Sequence, residues 1–333
     1  MGEKNTMTDV YFFEKESQLP NALDQMDLSQ FQHQEVLVKL HMGEPKNKFH
    51  IRPSFVHLVI TELHKNKMNP FLYDTTVVYE SPRKYVEGYQ NVARKHGFSK
   101  DHIGCPVTID DQGIQLTLDK HTFEVGTTLH GASHIVALSH VKGHVATGMG
   151  GAIKNFGMGG VTRKTKRMMH HSAKPIYTKN SCNYCGICAE VCPFDAITVH
   201  DTNWNISKSC FGCGVCVDNC SEQALSVRTA ELPYLLALAT KTCVTGKQVL
   251  YINDVNRISR SCDCDPNAGP VLCADVGYLL STDPVAIDAA SLDLINEQCP
   301  DVFLKENHVD PSKQIRYAEE IGLGSTGYRL IRL

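Results

Sequence analysis

Continuous apolar runs, rich in branched residues, mark the predicted strands of this chain. Such runs are typical of strands that are buried on both faces of a parallel sheet. Between the early runs, apolar residues at helical spacing predict helices at 53–68 and 82–95, each beginning with a proline at its first turn. The predicted strands are 10–13, 35–42, 70–78, 134–141, 248–255 and 276–280.

Alternation of strands and helices predicts an α/β fold with a mostly parallel sheet flanked by helices. Ligands of such sheets bind beyond the carboxyl ends of the strands. The polar residues that follow the predicted strands are therefore candidate catalytic residues, although single polar residues at strand ends more often serve as structural hydrogen-bonding groups. These candidates are His41, Glu44, Asp74, His140 and His144.

Eight of the 14 cysteines fall into two copies of one spacing, C-x2-C-x2-C-x3-C, which is the pattern of a bacterial-type two-cluster ferredoxin. In that pattern the fourth cysteine of each run binds the neighbouring cluster. We therefore expect two [4Fe–4S] clusters with crossed ligation. The first would be bound by Cys182, Cys185, Cys188 and Cys220, and the second by Cys210, Cys213, Cys216 and Cys192.

Structural zinc sites and a disulfide framework are the alternatives for these cysteines. Zinc ligands usually come as two separated pairs and do not account for the triplet spacing. Disulfides require an oxidising compartment. The repeat differs at one place, since Ser221 stands where the first copy has Pro193, but this difference removes no ligand.

The cysteine-rich stretch interrupts the α/β pattern, which resumes after it with a predicted helix and further strands. We therefore expect three segments: an α/β domain over 1–175, a ferredoxin-like α+β insert over 176–228, and the second part of the α/β domain over 229–333.

A glycine-rich segment just before the insert is unusually basic. Between Val125 and Ala189 there are eight Lys or Arg residues and no Asp or Glu. The segment lacks the signatures of a Walker A loop and of a dinucleotide-binding fold. It could bind an anionic substrate or coenzyme, neutralise the clusters, or form a solvated basic face. The candidate anion site consists of Gly150, Gly151, Lys154, Asn155 and Gly159.

Cys262 and Cys264, one residue apart in a loop, are candidate metal or redox residues, and free thiols are the alternative. A net charge of −3 gives no indication of nucleic-acid binding. No apolar run approaches the length of a membrane span, and Met1–Asp9 lacks the features of a signal peptide. We therefore expect a cytoplasmic protein, and oxygen-labile clusters suggest an anaerobic organism.

Six short motifs together resemble the uncharacterised iron–sulfur centre proteins, domain-of-unknown-function family 362. The resemblance extends over nearly the whole chain and implies the α/β architecture with a two-cluster insert, but it implies no substrate and no catalytic residues. The motifs are Lys39–Pro45, His50–Pro53, Leu138–His144, Gly151–Gly157, Cys262–Cys264 and Ser281–Asp288.

Three hypotheses for function follow from these features. The first is an iron–sulfur oxidoreductase whose clusters exchange electrons with a site in the α/β domain that binds a small anionic ligand. The second is a non-catalytic electron-transfer subunit that docks on a larger anaerobic redox enzyme. The third is a metal or cluster maturation factor that uses Cys262 and Cys264. In the first two, the partner is an electron donor or acceptor protein.

Overall fold

The structure is a computed structural model that describes residues 7–333. The prediction about a signal peptide concerns Met1–Asp9, of which residues 1–6 lie outside the described part. No helix among the described residues combines the length and the apolar character needed to cross a membrane.

An eight-stranded sheet forms the centre of the α/β unit. Five of its strands, from β14 to β4, are mutually parallel, while β15 runs antiparallel to both of its neighbours. The sheet is therefore mixed but mostly parallel, as the sequence predicts. Numbered along the chain, its strands in spatial order are β16 (Tyr328–Arg332), β1 (Thr8–Phe13), β15 (Gly277–Ser281), β14 (Gln248–Val255), β7 (His134–His140), β2 (Glu35–Lys39), β3 (Asn69–Thr75) and β4 (Val107–Asp110).

Eight further strands form two-stranded antiparallel ladders beside the main sheet. The ladders are β5 (Gly113–Leu118) with β6 (His121–Gly126), β8 (Lys142–His144) with β9 (Gly148–Gly150), β10 (Pro175–Tyr177) with β13 (Leu225–Val227), and β11 (Ile197–His200) with β12 (Asn203–Ile206).

Helices cover both faces of the main sheet. Alternate strand residues contribute to two separate apolar cores, so that Leu37 packs on one face and Val36 on the other. The helices are α1 (Leu19–Leu23), α2 (Pro53–Lys65), α3 (Val86–Lys95), α4 (Lys100–Ile103), α5 (Thr127–Gly131), α6 (Ala152–Gly157), α7 (Arg163–Ser172), α8 (Ile187–Glu190), α9 (Val215–Asp218), α10 (Leu232–Val244), α11 (Pro284–Gln298), α12 (Val302–Asn307) and α13 (Lys313–Glu320).

Local sequence signals explain how two of these helices begin. At α11, the carboxylate of Asp283 accepts hydrogen bonds from the amides of Val285 (2.7 Å) and Ala286 (3.0 Å), as expected of an N-cap residue before a proline. The helix predicted from Pro82 begins later, at Val86. Pro82–Lys84 forms a separate 3-10 turn, because the hydroxyl of Ser81 accepts a hydrogen bond from the amide of Arg83.

Residues 175–227 form a unit of their own between the two parts of the main sheet. It contains the ladders β10/β13 and β11/β12 and the short helices α8 and α9, and it has a small core that includes Ile197, Cys216 and Leu225. Strands before and after this unit pair with each other, since β14 lies beside β7. The main sheet is therefore built from two separate stretches of chain.

Candidate functional site

A cavity of about 100 Å³, lined by many charged residues, lies at the carboxyl ends of β2, β3 and β7. A single water needs roughly 10–15 Å³ of such space, so this strand-end cavity has room for a small molecule. Most of the predicted strand-end residues line it because parallel strands bring their carboxyl ends to one edge. Its charged, histidine and cysteine lining residues are Lys39, His41, Asp74, Arg83, His140, Lys142, His144, Lys154, Lys166, His170, Cys262 and Cys264.

Lys39 and Asp74 form a fully buried ion pair in the wall of the cavity. The ammonium of Lys39 donates to Asp74 Oδ1 at 2.9 Å and to Asn155 Oδ1 at 2.8 Å. The amide of Asn155 in turn donates to Leu138 O and to Ser139 Oγ, both at 3.0 Å. Asn155, predicted as part of an anion site, therefore uses both of its polar atoms within the protein.

Arg83 connects the strand-end residues behind the cavity. Its guanidinium lies 3.0 Å from Glu44 Oε2, 2.8 Å from His41 Nε2 and 2.8 Å from Tyr89 Oη. Tyr89 also donates to Asp74. Glu44 does not line the cavity, and within residues 7–333 its carboxylate hydrogen-bonds to Tyr79, Ser81 and Arg83 but to no histidine. Its link to His41 therefore passes through Arg83. Burial, followed by the charge of Arg83, holds the pKa of His41 well below its usual range, and the ring is therefore neutral at pH 7.

Asp263 fixes His140 and Lys142, two further lining residues of the cavity. His140 Nδ1 lies 2.9 Å from Asp263 Oδ1, and Lys142 Nζ lies 3.2 Å from Asp263 Oδ2. The second ring nitrogen of His140 lies 2.9 Å from the carbonyl oxygen of Asn256. Both nitrogens of His140 are thus used inside the protein, and the carboxylate that orients this ring is Asp263 rather than Glu44 or Asp74.

The glycine-rich segment approaches protein groups closely, so its first helical amides are not free for a ligand. The amides of Ala152 and Ile153, which begin α6, donate to the carboxylate of Asp288 at 2.7 and 2.9 Å. A Cβ at Gly151 would lie 2.3 Å from Asp288 Oδ1, so only glycine admits this carboxylate. Gly150 and Gly159 line the cavity as well, and a Cβ at Gly159 would lie 2.6 Å from Lys39 Nζ.

Two lysines of the basic segment, Lys154 and Lys166, face the cavity without a carboxylate partner among residues 7–333. Lys154 Nζ lies 3.6 Å from Cys262 Sγ, and Lys166 Nζ donates to Thr75 Oγ1 at 2.8 Å and to Thr76 O at 2.6 Å. Burial lowers the pKa of Lys166 to about 7, against the attraction of Asp74. Lys166 can therefore exchange a proton near neutral pH.

Cys262, Cys264 and His144 meet at one point of the cavity wall. One ligand atom from each lies within 4.8 Å of the other two, in a geometry that could hold a metal ion. A hydrogen bond between the side chains of Cys262 and Cys264 lowers the pKa of Cys262 well below the usual range of a thiol and raises that of Cys264 well above it. The positive charge of Lys154 also lowers the pKa of Cys262. Burial and the charge of Lys154 keep His144 neutral by lowering its pKa.

The eight patterned cysteines line two further small cavities in the 175–227 unit. Cys182, Cys185, Cys188 and Cys220, the first cysteine group, surround one cavity, together with Tyr177 and Trp204. The second cysteine group surrounds the other, together with Phe194 and Phe211. Its members are Cys192, Cys210, Cys213 and Cys216.

Backbone amides and burial shape these two groups. The amides of Tyr184 and Ala196 donate to Cys182 Sγ and Cys192 Sγ, each at 3.3 Å. Burial raises the pKa of Cys213 to about 11 and that of Cys216 to about 12. These thiols lose their protons at neutral pH only to a bound metal, whose affinity should therefore increase with pH.

The second cysteine group lies directly beside the strand-end cavity. Phe211 lines both cavities, and His170 of α7 lines the strand-end cavity and contacts Phe211. Four residues of the site were not predicted from the sequence, namely Arg83, Asp263, His170 and Phe211. Asp263 stands between two noted cysteines and Phe211 follows a ligand of the repeat, whereas no local pattern distinguishes Arg83 or His170.

Fold and site together define a mixed α/β protein with a cavity lined by many charged residues at its strand ends and a cysteine-rich inserted unit. The family model described as "Domain of unknown function (DUF362)" matches residues 36–293, and the chain belongs to that family. No curated protein matches it.

Two solved structures show distant similarity. The lactate racemase apoprotein from Thermoanaerobacterium thermosaccharolyticum is 10% identical, with a TM-score of 0.37 over 77% of this chain and 52% of its own. A protein from Thermotoga maritima is 9% identical, with a TM-score of 0.42 over 92% of this chain and 59% of its own. This chain thus spans little more than half the length of either.

Proposed function

We propose that this chain is an iron–sulfur redox protein, in which electrons pass between two [4Fe–4S] clusters and a small anionic substrate or coenzyme in the strand-end cavity. The observation that carries the proposal is the position of Phe211, which lines both the second cysteine group and the strand-end cavity. The two cavities thus share a lining residue, which favours transfer of an electron between them.

The donor chemistry of each cysteine group fits a four-iron cluster. Each group offers four thiols around one small cavity, with mainly apolar side chains and one amide directed at a sulfur atom. The first group would hold one cluster and the second group the other. When bound, such clusters supply or accept single electrons.

The cavity supplies positive charge for an anionic ligand. Asp74 neutralises Lys39 and Asp263 neutralises Lys142, so that Lys154 and Lys166 provide the excess positive charge. Lys154 would hold the anion as a point charge. Lys166, with its pKa near 7, would donate a proton to match an electron.

Removal of the Lys154 charge tests the anion site. Anaerobic calorimetry with acetate and with inorganic phosphate should show that the Lys154→Ala variant binds the preferred anion at least about tenfold more weakly than the unchanged protein, a loss of about 1.4 kcal/mol. Lys208→Ala, a change in the inserted unit away from the cavity lining, should have no effect. Equal affinity in both variants, or binding of neither anion to the unchanged protein, would contradict the anion site.

The docking hypothesis has one feature in its favour, because Lys164 and Arg167 of the basic segment are exposed on α7. Lys166 is buried and faces the cavity, however, so the basic segment is not a single outer face. If this face binds an electron donor or acceptor protein, Lys164→Glu with Arg167→Glu should abolish its co-purification. Binding should also weaken steeply with salt.

A further inference from the structure

Three potential metal ligands converge on the strand-end cavity from different parts of the chain. His144 ends β8, whereas Cys262 and Cys264 lie in the loop after β14, and their ligand atoms lie within 4.8 Å of one another. All three line the strand-end cavity. A pair of free thiols would need no imidazole beside it, so this convergence is the feature that needs explanation.

We propose that His144, Cys262 and Cys264 bind a single divalent metal ion, zinc or ferrous iron, with one coordination position open to the strand-end cavity. Two thiolates and one imidazole are a donor set for borderline-soft ions, and three protein ligands with an open position are typical of catalytic zinc sites. Two thiolates would also neutralise the charge of a divalent ion.

Hydrogen bonds already hold these ligands in place. His144 Nδ1 accepts a hydrogen bond from the amide of Ala146 at 3.1 Å and lies 3.1 Å from the hydroxyl of Thr147, which fixes the ring and leaves Nε2 without a protein partner among these bonds. The neutral ring then carries its proton on Nε2, so binding of a metal at Nε2 displaces that proton. Thr147 Oγ1 donates to Met149 O at 2.9 Å, so its lone pairs can accept a hydrogen bond from Nδ1 in the tautomer that carries the proton there and leaves Nε2 for a metal.

The cysteine loop is fixed from both sides. Asp263, between the two cysteines, is held by His140 and Lys142, and its carbonyl oxygen accepts from the amide of Glu44 at 2.9 Å. The carbonyl of Cys262 accepts from the amide of Asp265 at 2.8 Å. Cys262 and Cys264 thus flank Asp263, whose side chain and backbone are both held by hydrogen bonds. Metal binding would therefore require little additional ordering of the loop.

The surrounding charges indicate what fills the open position. Lys154 lies 3.6 Å from Cys262 Sγ, and Lys142 lines the same wall. An anion bound to the metal would therefore contact a lysine as well. A role of this metal in receiving electrons rests on the proposed function, whereas the metal site itself does not.

Zinc content and the zinc coordination shell test this site on the full chain, purified without oxygen. The protein would be incubated with Zn²⁺ alone, exchanged into metal-free buffer, and analysed for zinc and iron. We expect one zinc per chain. Its X-ray absorption spectrum should show two sulfur atoms at about 2.3 Å from the zinc and a nitrogen atom at about 2.0 Å from it. Cys262→Ser with Cys264→Ser should lose this zinc.

Two further variants separate ligand loss from misfolding. Cys273 and Cys299, which hydrogen-bond to each other outside the cavity lining, form the matched control, and their replacement by serine should leave the zinc bound. His144→Gln keeps both thiols and should weaken zinc binding by at least about tenfold, because loss even of a residue that only hydrogen-bonds to a metal ligand has an effect of this size.

The outcomes separate this inference from the proposed function. Any of four results would overturn the metal site. The Cys262/Cys264 variant could retain as much zinc as the unchanged protein, or His144→Gln could bind zinc with wild-type affinity. The zinc shell could consist of four sulfur atoms, or Cys262 and Cys264 could form a disulfide. A protein that contains the iron of two clusters but does not bind the additional zinc would refute this metal site and leave the proposed function standing. One zinc with the expected shell but no cluster iron would support the site and refute the proposed function.

Discussion

His170 Nδ1 lies 3.0 Å from the carbonyl oxygen of Phe211, and the centroids of the two rings are 4.1 Å apart. Burial lowers the pKa of His170 to about 4, so the ring is neutral at pH 7 and Nδ1 carries the proton that it donates. This contact joins α7, a wall of the strand-end cavity, to the loop between Cys210 and Cys213. It is the place where the inserted unit meets the α/β unit beside the cavity.

Phe211→Leu should open the wall around the second cysteine group. The smaller side chain gives up the ring contacts with His170 and Phe194, about 1 kcal/mol, and admits water. We expect a chelator to remove iron several-fold faster from the second cluster, with the first unchanged.

Trp204→Leu is the matched change, since Trp204 lines the cavity of the first group and stacks on Tyr177. It should accelerate iron loss from the first cluster alone. The spectra of the two clusters distinguish the sites during chelation. Equal acceleration of both phases by either variant would show that these aromatic residues do not protect separate clusters.

Asp263→Asn should strongly destabilise the protein. The change leaves the buried ammonium of Lys142 without its carboxylate partner, and a broken buried pair costs roughly 3–5 kcal/mol. Denaturant unfolding at pH 7 would measure this loss. Asp111→Asn, at an exposed position, should change the free energy of unfolding by less than about 0.5 kcal/mol.

A double variant checks the cause. Asp263→Asn combined with Lys142→Met removes the unpaired charge and should recover a large part of the lost stability, as expected for interacting residues. If the double variant loses as much free energy of unfolding as the two single variants together, Asp263 and Lys142 are not coupled.

Lys166 should make the stability of the protein increase between pH 7 and pH 10. Its folded-state pKa, about 7, lies below the unfolded value near 10.5, so the unfolded chain binds more protons in this interval. Burial of the Lys166 ammonium lowers the free energy of unfolding by its full amount below pH 7. This loss is relieved as the pH rises, because the folded protein can then hold Lys166 without its proton. The free energy of unfolding, relative to Lys166→Met, should therefore increase by a few kcal/mol over this range.

Lys164→Met provides the comparison on the same helix, because Lys164 is exposed. Its curve should run parallel to that of the unchanged protein from pH 7 to pH 10. A parallel curve for Lys166→Met as well would show that Lys166 does not titrate in the cavity.

The sheet could be predicted where strands are buried on both faces. The runs at 35–42, 134–141 and 248–255 correspond to β2, β7 and β14, the centre of the sheet. Strand β16 was not predicted because its residues are half-buried or exposed and carry no apolar run. It pairs with β1 at the opposite end of the chain, which no local pattern indicates.

The cavity could be located because parallel strands bring their ends together, which places Lys39, Asp74 and His140 around one cavity. The partners of these residues could not be predicted. Arg83 and Asp263 approach from distant segments, and their burial results from the tertiary contacts themselves. The excess of basic residues between 125 and 189 was visible, but the carboxylate that caps α6, Asp288, comes from α11.

Native mass spectrometry of protein purified without oxygen tests the central claim most directly, with pairs of cysteines changed to alanine. We predict the chain plus two [4Fe–4S] clusters for the unchanged protein. Cys192→Ala with Cys213→Ala changes one group only and should leave one cluster, whereas Cys192→Ala with Cys185→Ala affects both groups and should leave none. Zinc ions in place of both clusters, or no metal in the two cysteine groups of the unchanged protein, would contradict the claim. The reverse result for the two pairs would contradict crossed ligation.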